Sequence, residues 1–541
     1  LTDHFHAVFR FILSSFSLVV MLGDTVPLHA GMLAPDLAER IKDASFGQEF
    51  DILVRMRSVV NRSVLSASVK NLGRHARVAE VVRTLRSNAE QSQQDLKGYL
   101  DERAVAGTAR RIRPFWIFNG FSLTATADVV QTLADRDDVD TVTLDRVLHL
   151  APSPDASVGN PEPSGLTATP QATGAWNLDA IGAPTVWAQG FTGQGTVIAS
   201  FDTGVDVSHP AVGPKWRGGA HDWFDPYRST TVPYDASGHG TATMGILAGG
   251  DMTGNPVGVA PGAQWIAAKI FDDQGNAQTS LIHAAFAWVL DPDGNPANRD
   301  VPDVVNNSWD LNNPGGYDGE FAPDILALAA AGIEVVFSAG NSGPGTNTST
   351  SPGNNPGAVS VGATMASDQI ASFSSRGPSA FDGSFFPALA APGWQVRSTS
   401  LAGNYGYNSG TSFSAPHVAG AYALLKSAVP ALTLQQAEEA LEKSVAGASG
   451  PDNVTGYGRL DVAKALSYLT LPGDVDGNGK IDLADVVIVL RSIMGSTPMT
   501  PLIAKNGNVS PLATGIAKSD GDLTIQDALF ILQKAVGFDP F

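Results

Sequence analysis

The chain has no cysteine among its 541 residues, so no disulfide staples it and no thiol can serve as nucleophile or zinc ligand. Charge is sparse, at 16% of residues, and it lacks a basic excess: the formal net charge is -19. The imbalance is unevenly placed. Residues 31–150 carry 17 Lys and Arg against 16 Asp and Glu, whereas residues 151–541 carry 16 against 35. Such an acidic field argues against nucleic acid or an anionic membrane as partner and suits calcium binding or plain solubility. Long apolar runs are missing after the first thirty residues, so no later stretch approaches a membrane span. Within those thirty, Arg10 precedes the run FILSSFSLVVML and PLHA ends at Ala30, a pattern that reads as a signal peptide (1–30) and points to secretion.

A further absence is informative. The stretch VIASFDTGVD, Val197 to Asp206, ends an apolar strand in Asp-Thr-Gly. Two carboxylates are needed to divide acid and base roles in an aspartic protease, and no second Asp-Thr-Gly or Asp-Ser-Gly occurs. A lone Asp at that place has a different task, that of holding a histidine.

What the chain does contain is organised in blocks. Residues 45–150 read as a small α+β unit: FDILVRM is a strand candidate, HARVAEVVRTLRSNAEQSQQDLKGYLDERA is helical in period, and FNGFSLTATADVVQTLADRDDVDTVTLDR reads strand-helix-strand. Residues 151–174 are dense in Pro, Ser and Gly, the composition of an exposed linker open to cleavage. From about 175 to 470, short apolar strands (TVIASFD, WIAAKIFD, VPDVVNNSW, IEVVFSAGN, GAVSVGAT) interleave with helical stretches (SLIHAAFAWVL, DILALAAAG). That alternation predicts an α/β fold with a parallel sheet covered by helices on both faces. In such sheets chemistry sits at the carboxyl ends of the strands, where Asp202 and Asn341 fall. Residues 471–541 repeat an Asp-rich segment followed by an apolar helix, ADVVIVLRSIMG and QDALFILQKAVG.

Two blocks complete the chemistry: SGHGTATMGILAG with His239 and SGTSFSAPHVAGAYALL with Ser412. The order Asp, His, Ser is that of the subtilisin arrangement, distinct from the chymotrypsin and α/β-hydrolase orders. A serine hydroxyl is a weak nucleophile, so His239 must take its proton and return it to the leaving amine, while Asp202 fixes the imidazole tautomer and stabilises its cation. Ser412 precedes a Gly/Ala-rich run that reads as a helix, which places it at an N-terminus with free N–H groups; Pro416 fits a first turn. Asn341, in FSAGNSG, would add a side-chain donor to the oxyanion beside the Ser412 N–H.

These blocks, with WNLDAIGAPTVWAQGFTGQGT, KWRGG, PDVVNNSW and GTSFSAPHVAG, resemble the subtilisin-like serine proteases, closest to their bacillopeptidase F branch, from about Trp176 to Ala465. The resemblance implies that residues 31–150, with FNGF and VDTVTLDRV, are a propeptide that assists folding and blocks the cleft until removed. It also implies that Ser308, Trp309 and Asp310, with Ser338, Ala339 and Gly340, flank the pocket for the residue before the scissile bond of a protein substrate. Two positions depart from the pattern. Asp310 stands where the family has Gly, with the expectation of a narrowed cleft or a taste for basic residues, or of a carboxylate that merely meets solvent. Ala242 replaces the second His of Gly-His-Gly-Thr-His, a position that is not the general base.

Other histidines read as structural: His209 in a turn, His417 packed or capping on the nucleophile's helix, and His221 and His283 without ligand-like spacing, so no zinc site is expected. DPDGNPANRD reads equally as a calcium loop or a Pro/Gly-rich surface turn. In the repeat, DVDGNGKIDLAD places Asp474, Asp476, Asn478, Asp482 and Asp485 at loop positions 1, 3, 5, 9 and 12, with Gly479 at the turn and the Lys480 carbonyl at position 7, which is the spacing of a Ca2+ loop. The segment resembles a type I dockerin, which implies a cohesin-type partner. Its second loop keeps Asp520, Asp522 and Asp527 but has Ile516 and Lys518 at the early positions, unless an insertion lets Asn508 serve. The alternative is a self-paired calcium module that stiffens the C-terminus or holds the enzyme at the cell surface. The reading is a secreted serine endopeptidase; against it stands a docking scaffold carrying a weak or latent protease domain.

Overall fold

The computed structural model describes residues 31–152, 154, 175–250, 256–298, 300–447, 450–477, 480–510, 512–513, 516–517 and 522–538. The expected signal peptide, most of the linker, Asn478, Gly479, Lys518 and Asp520 lie outside the described residues.

The first unit holds strands β1 (Met32–Leu33), β2 (Glu49–Met56), β3 (Ala109–Phe115), β4 (Gly120–Thr126) and β5 (Val139–Leu144), with helices α1 (Pro35–Lys42), α2 (Arg62–Val69), α3 (Arg74–Ser92), α4 (Gln94–Val105) and α5 (Ala127–Ala134). Its sheet runs β1-β5-β2-β4-β3. The long helical period breaks into α3 and α4 at Gln93, whose side-chain amide turns inward to donate to Phe115 O and Asn119 Oδ1. Val78, Val81, Val82, Leu85 and Ala89 recur on one stripe of α3 and are buried.

A short strand, β6 (Val147–His149), leads into the second unit. There β7 (Val197–Asp202), β8 (Trp223–Phe224), β9 (Gln264–Lys269), β10 (Asn276–Gln278), β11 (Val304–Asn307), β12 (Glu334–Ser338), β13 (Val359–Thr364) and β14 (Leu389–Pro392) alternate with α6 (Trp176–Ala180), α7 (Ala183–Trp187), α8 (His239–Ala248), α9 (Thr279–Leu290), α10 (Ala322–Ala331) and α11 (Ala415–Ala428). Seven strands form one sheet in the order β14-β13-β12-β11-β7-β9-β8, and every pairing in it is parallel. The expected α/β architecture is present. Strand residues alternate between two cores, as the period of two demands: Ile198, Trp265, Val304 and Val336 face the core around α11, whereas Ala199, Ile266, Val305 and Val335 face the core of α9 and α10.

That second core does not stop at the unit's edge. It continues through Leu65, Val69, Val78, Val81 and Phe118 of the first unit, which lies over α9 and α10. Around this apolar seam sit ion pairs from first-unit arginines to second-unit carboxylates: Arg55–Glu320 at 2.9 Å, Arg146–Asp318 at 2.7 Å, Arg74–Asp303 and Arg86–Asp291. Arg77 donates to the Ala329 and Ala330 carbonyls at the C-terminus of α10, and Asp145 accepts from Ser280 N (2.8 Å) at the N-terminus of α9, each charge placed with the favourable end of the helix dipole.

The last unit packs α14 (Leu483–Ile493), α15 (Pro501–Gly507) and α16 (Ile525–Ala535) around Val486, Val489, Ile503 and Ile531, after α12 (Leu434–Lys443) and α13 (Val462–Leu469) close the second unit. Among the described residues, no helix is long and apolar enough to cross a membrane.

Candidate active site

Asp202 ends β7 and His239 opens α8, and the two meet because α8 begins tight against the β7 loop. Gly240 makes this possible: a Cβ there would stand 2.1 Å from Gly204 O. Asp202 Oδ1 accepts from His239 Nδ1 at 2.7 Å and from Thr203 N at 2.7 Å, and its Oδ2 accepts from Thr243 Oγ1 at 3.1 Å. With 2% of its surface exposed, Asp202 is a buried carboxylate in a full set of donors. Nδ1 must therefore carry the proton, which presents Nε2 as a base. Burial works against the imidazolium, but the Asp202 charge and hydrogen bond outweigh it and Asp235 adds to them, so the His239 pKa lies above its ordinary value.

Asp235 was not singled out by its sequence context, yet it ties the site together. Its Oδ1 accepts from Ser237 N (3.0 Å), Gly238 N (2.9 Å) and Thr203 Oγ1 (3.0 Å), and its Oδ2 from Thr241 N (2.9 Å) and Thr241 Oγ1 (2.7 Å). The carboxylate caps α8 and clamps it to the residue after Asp202.

Ser412 lies in the turn Thr411–Phe413 just before α11, with Pro416 in the helix's first turn as the sequence predicted. The Phe413 ring lies 5.4 Å from the imidazole of His239. The Ser412 carbonyl accepts from Ser308 Oγ at 2.7 Å, which fixes the turn of Ser412 to the end of β11. Asn341 follows β12. Its Oδ1 accepts from Thr411 N (2.9 Å) and Thr411 Oγ1 (3.0 Å), so the amide is oriented with Nδ2 as its free donor. Thr411 is thus a second positioning residue that the sequence reading missed; only its adjacency to Ser412 hinted at it. The hydroxyl also accepts from Gly340 N at 3.1 Å.

The expected pocket walls come from adjacent parallel strands. Ser308, Trp309 and Asp310 leave β11 while Ser338, Ala339 and Gly340 leave β12, and Ser338 Oγ donates to Trp309 O at 3.2 Å. Trp309 is buried against Phe271, Phe321 and Phe337 rather than facing the cleft with its ring. Asp310 accepts from Asn312 N at 2.6 Å, folding its carboxylate onto its own loop, and burial raises its pKa. Ala242 is buried in α8.

Three of the other histidines are held by hydrogen bonds within the fold. His417 donates through Nδ1 to Phe413 O (2.8 Å) and accepts from Asn177 Nδ2 (2.9 Å); burial lowers its pKa to about 4, and it stays neutral. His209 spans Asn404 O and Ala211 N. His283 is enclosed by Asp324 (3.0 Å) and Glu320 (3.1 Å) under the first unit, where burial is outweighed by the two carboxylates and its pKa rises to about 9. Residues 293–298 close on themselves, Asp293 accepting from Asn295 N and Asn298 Nδ2, the form of a surface turn.

In the last unit, Asp474, Asp476 and Asp485 each bring a carboxylate oxygen to within 4.8 Å of the others. Asp474 and Asp485 are buried, so the negative charge is concentrated where water screens it least, and this donor set fits a hard cation held by oxygen. Asp482 caps α14 through Ala484 N (2.7 Å), and Asp485 accepts from Val475 N and Asp482 N, both at 2.8 Å. In the second repeat, Asp527 takes the place of Asp485, accepting from Val509 N, Ser510 N and Thr524 N, each at 2.8 Å. That register sets Asn508 and Ser510 opposite Asp474 and Asp476, with the hairpin of Leu512–Ala513 and Ile516–Ala517 between them and Asp522. Ile516 therefore belongs to a hairpin strand and not to the early loop positions.

Comparison with known proteins identifies the family. A model of the Subtilase family matches residues 193–458. Bacillopeptidase F of Bacillus subtilis (strain 168) is 33% identical over 466 residues, 80% of this chain and 32% of that protein. Subtilisin E of the same strain is 37% identical over 295 residues, 54% of this chain and 70% of that protein, and Subtilisin of Bacillus pumilus is 36% identical over 295 residues, 54% of this chain and 98% of that protein. The chain thus spans about a third of the length of Bacillopeptidase F but nearly all of the Bacillus pumilus Subtilisin. On the strength of that coverage, the chain belongs to the Subtilase family of serine peptidases.

Proposed function

We propose that this chain is a secreted serine endopeptidase that hydrolyses peptide bonds of protein substrates through Asp202, His239 and Ser412, and that it is held latent by its own first unit. The observation that carries the reading is the 2.7 Å contact of His239 Nδ1 with Asp202 at the end of β7, with the ring of Phe413, the residue after Ser412, 5.4 Å from the imidazole and the Asn341 amide oriented by Thr411. His239 Nε2 takes the Ser412 proton as Oγ attacks the carbonyl carbon. The Ser412 N–H and Asn341 Nδ2 receive the oxyanion. Collapse expels the amine with the proton from His239, and water, activated by the same imidazole, releases the acyl group from Ser412.

Residues 31–150 act in this reading as propeptide and inhibitor, 151–174 as the linker cut in maturation, and 175–470 as the catalytic domain. The apolar seam and ion pairs between the first two units support it, as does a likeness to Bacillopeptidase F that extends well beyond residues 193–458. Residues 471–541 act as a dockerin-like module with Ca2+ held by Asp474, Asp476, Asn478, the Lys480 carbonyl, Asp482 and Asp485, a structural ion that draws the loop onto α14, and a cohesin-type domain is its partner. The buried carboxylate cluster supports the ion.

A fluorophosphonate probe tests the catalytic claim. Labelling that maps to Ser412 and is lost in Asp202→Ala is expected. Equal labelling of wild type and Ser412→Ala, or none in either, would refute it and leave the latent docking scaffold.

A further inference from the structure

One charge in the central sheet takes no part in the chemistry described above. β12 lies between β11 and β13 and is buried along its length, yet it opens on Glu334, in the otherwise apolar run Ile-Glu-Val-Val-Phe. A carboxylate taken out of water in a central strand is costly unless a cation or a full set of donors meets it. Glu334 is 4% exposed. Among the described residues its side chain accepts one hydrogen bond, from Val335 N at 3.3 Å, and pairs with no cation.

The carboxyl group instead lines a cavity of about 260 Å3 at the amino ends of β12, β13 and β14, the opposite end of the sheet from Asp202 and Asn341. Leu389, Val418 and Leu441 give it an apolar wall. Two more carboxyl groups line it, Glu442 and, at the exposed mouth, Glu438, both on α12. Tyr422 of α11 lines it too; it is 1% exposed, and its hydroxyl has no hydrogen-bond partner among the described residues. The basic groups around Tyr422 are engaged elsewhere: Arg74 with Asp303, Arg77 with the Ala329 and Ala330 carbonyls, and Lys426 with Leu432 O at 2.7 Å. Three carboxyl groups and an unpartnered phenol thus share one apolar cavity whose lining contains no basic side chain.

The arrangement selects a ligand. These glutamates do not form a cluster with oxygens within 4.8 Å of one another, as Asp474, Asp476 and Asp485 do, so they do not make a coordination sphere for one bare metal ion. An ammonium group on an alkyl chain satisfies both halves of the lining, its N–H donors meeting carboxylate and phenol oxygen and its methylenes meeting the leucines and Val418. We propose that this cavity is a binding site for a small aliphatic amine, with Glu334 as its buried anion, Glu438 at its entrance and Tyr422 as a further acceptor.

Burial and the Glu438 charge raise the Glu334 pKa to about 8, so near pH 7 the empty site holds that carboxyl protonated. Glu438, Glu442 and Tyr422 are the titratable groups that share the cavity with it, and Asp303, paired to Arg74, stands at the neighbouring strand end. An ammonium that takes Glu334 as its anion displaces the proton, so affinity rises with pH through about 8. Ordinary surface carboxylates are already ionised at about pH 6.5, so adsorption of an amine to this acidic chain shows no such rise.

The test is calorimetric titration of 1,4-diaminobutane into the full-length Ser412→Ala chain, which cannot digest itself, at about pH 6.5 and 8.5. Glu334→Gln and Glu438→Gln are measured in the same background. Glu334→Gln keeps the side-chain volume and replaces a group that is neutral at pH 7, and Glu438 is exposed, so each variant retains its fold, which its melt verifies. The expected result is one site per chain, about 10- to 30-fold tighter at the higher pH, with that dependence gone in Glu334→Gln. Affinity should fall by about tenfold or more in each variant, and uncharged 1,4-butanediol should not bind. At about 100 times its Kd the diamine should raise Tm by about 5–11 °C. No heat and no Tm shift with the diamine, affinity unchanged in both variants, or binding lost only in Asp310→Asn and so belonging to the cleft, overturns the proposal.

Discussion

Asp235 should matter to this enzyme almost as much as a triad member matters to its geometry, and Asp235→Asn isolates the reason. The substitution keeps the shape but replaces the oxygen that accepts from Thr241 N and Thr241 Oγ1 with an NH2 group. One backbone donor at the start of α8 is left facing another donor, at about 1–3 kcal/mol, and loss of the anion at the helix N-terminus adds about 0.3–1 kcal/mol. Together these give about 1.3–4 kcal/mol, and at about 2–4 °C per kcal/mol for a domain of this size Tm should fall by about 3–16 °C. The measurement belongs in a Ser412→Ala background, where self-digestion cannot confuse the melt. A second effect has a fixed sign. Asp235 helps to raise the His239 pKa, so without its charge the acid limb of kcat/KM in the otherwise wild-type chain should move to lower pH. A Tm within 1 °C or so of the parent, together with an unmoved acid limb, would refute the clamp.

Three further outcomes follow from the same structure. Asn341→Ala should lower kcat by about 100- to 1,000-fold with KM little changed, a magnitude carried over from the equivalent donor of subtilisin, and Thr411→Val, which removes one of two bonds orienting that amide, should cost about tenfold or less in the same assay. The buried cluster beneath the first unit sets a pH window for folding stability: His283, raised to about 9, contributes stability that is complete below its ordinary value and lost as pH rises through about 9, while Glu320, lowered to about 2 because His283 and Arg55 outweigh its burial, contributes stability present above its ordinary value and lost as pH falls through about 2. Thermal melts in the Ser412→Ala background should therefore show this contribution level between about pH 4.5 and 6.5 and declining from there to about 9, and a contribution that vanishes below pH 6 would contradict it. Chelating calcium should loosen residues 471–541 in hydrogen exchange while leaving hydrolysis of a small peptide unchanged, and Asp485→Ala should reproduce the effect.

The parts of the fold that were legible in the sequence are those fixed by local period and by composition. FDILVRM, TVIASFD and IEVVFSAGN each match a strand, SLIHAAFAWVL and DILALAAAG each match a helix, and Asp202 and Asn341 stand at strand carboxyl ends as parallel topology requires. The Asp202–His239 pairing was legible because both residues sit in blocks whose glycines and small residues are demanded by close approach, as Gly240 shows against Gly204. Positioning residues were not. Asp235, Thr243 and Thr411 act through contacts that span up to 70 positions in sequence, and nothing local distinguishes them from ordinary turn residues. The first unit's arginines were equally silent, since Arg55, Arg74 and Arg86 find their carboxylates more than 200 residues away and a near-neutral segment charge conceals the match. In the repeat, the inserted hairpin displaced the apparent spacing, and only the hydrogen bonds of Asp527 restored the register.

The most direct test of the central claim is the mass of the expressed chain in calcium beside that of Ser412→Ala. The account predicts that wild type sheds its N-terminal unit and retains the chain from within residues 151–174 onward, whereas Ser412→Ala keeps that unit. Identical masses for the two, whether both intact or both cut at the same bond, would contradict the claim that Ser412 is a working nucleophile which matures its own chain.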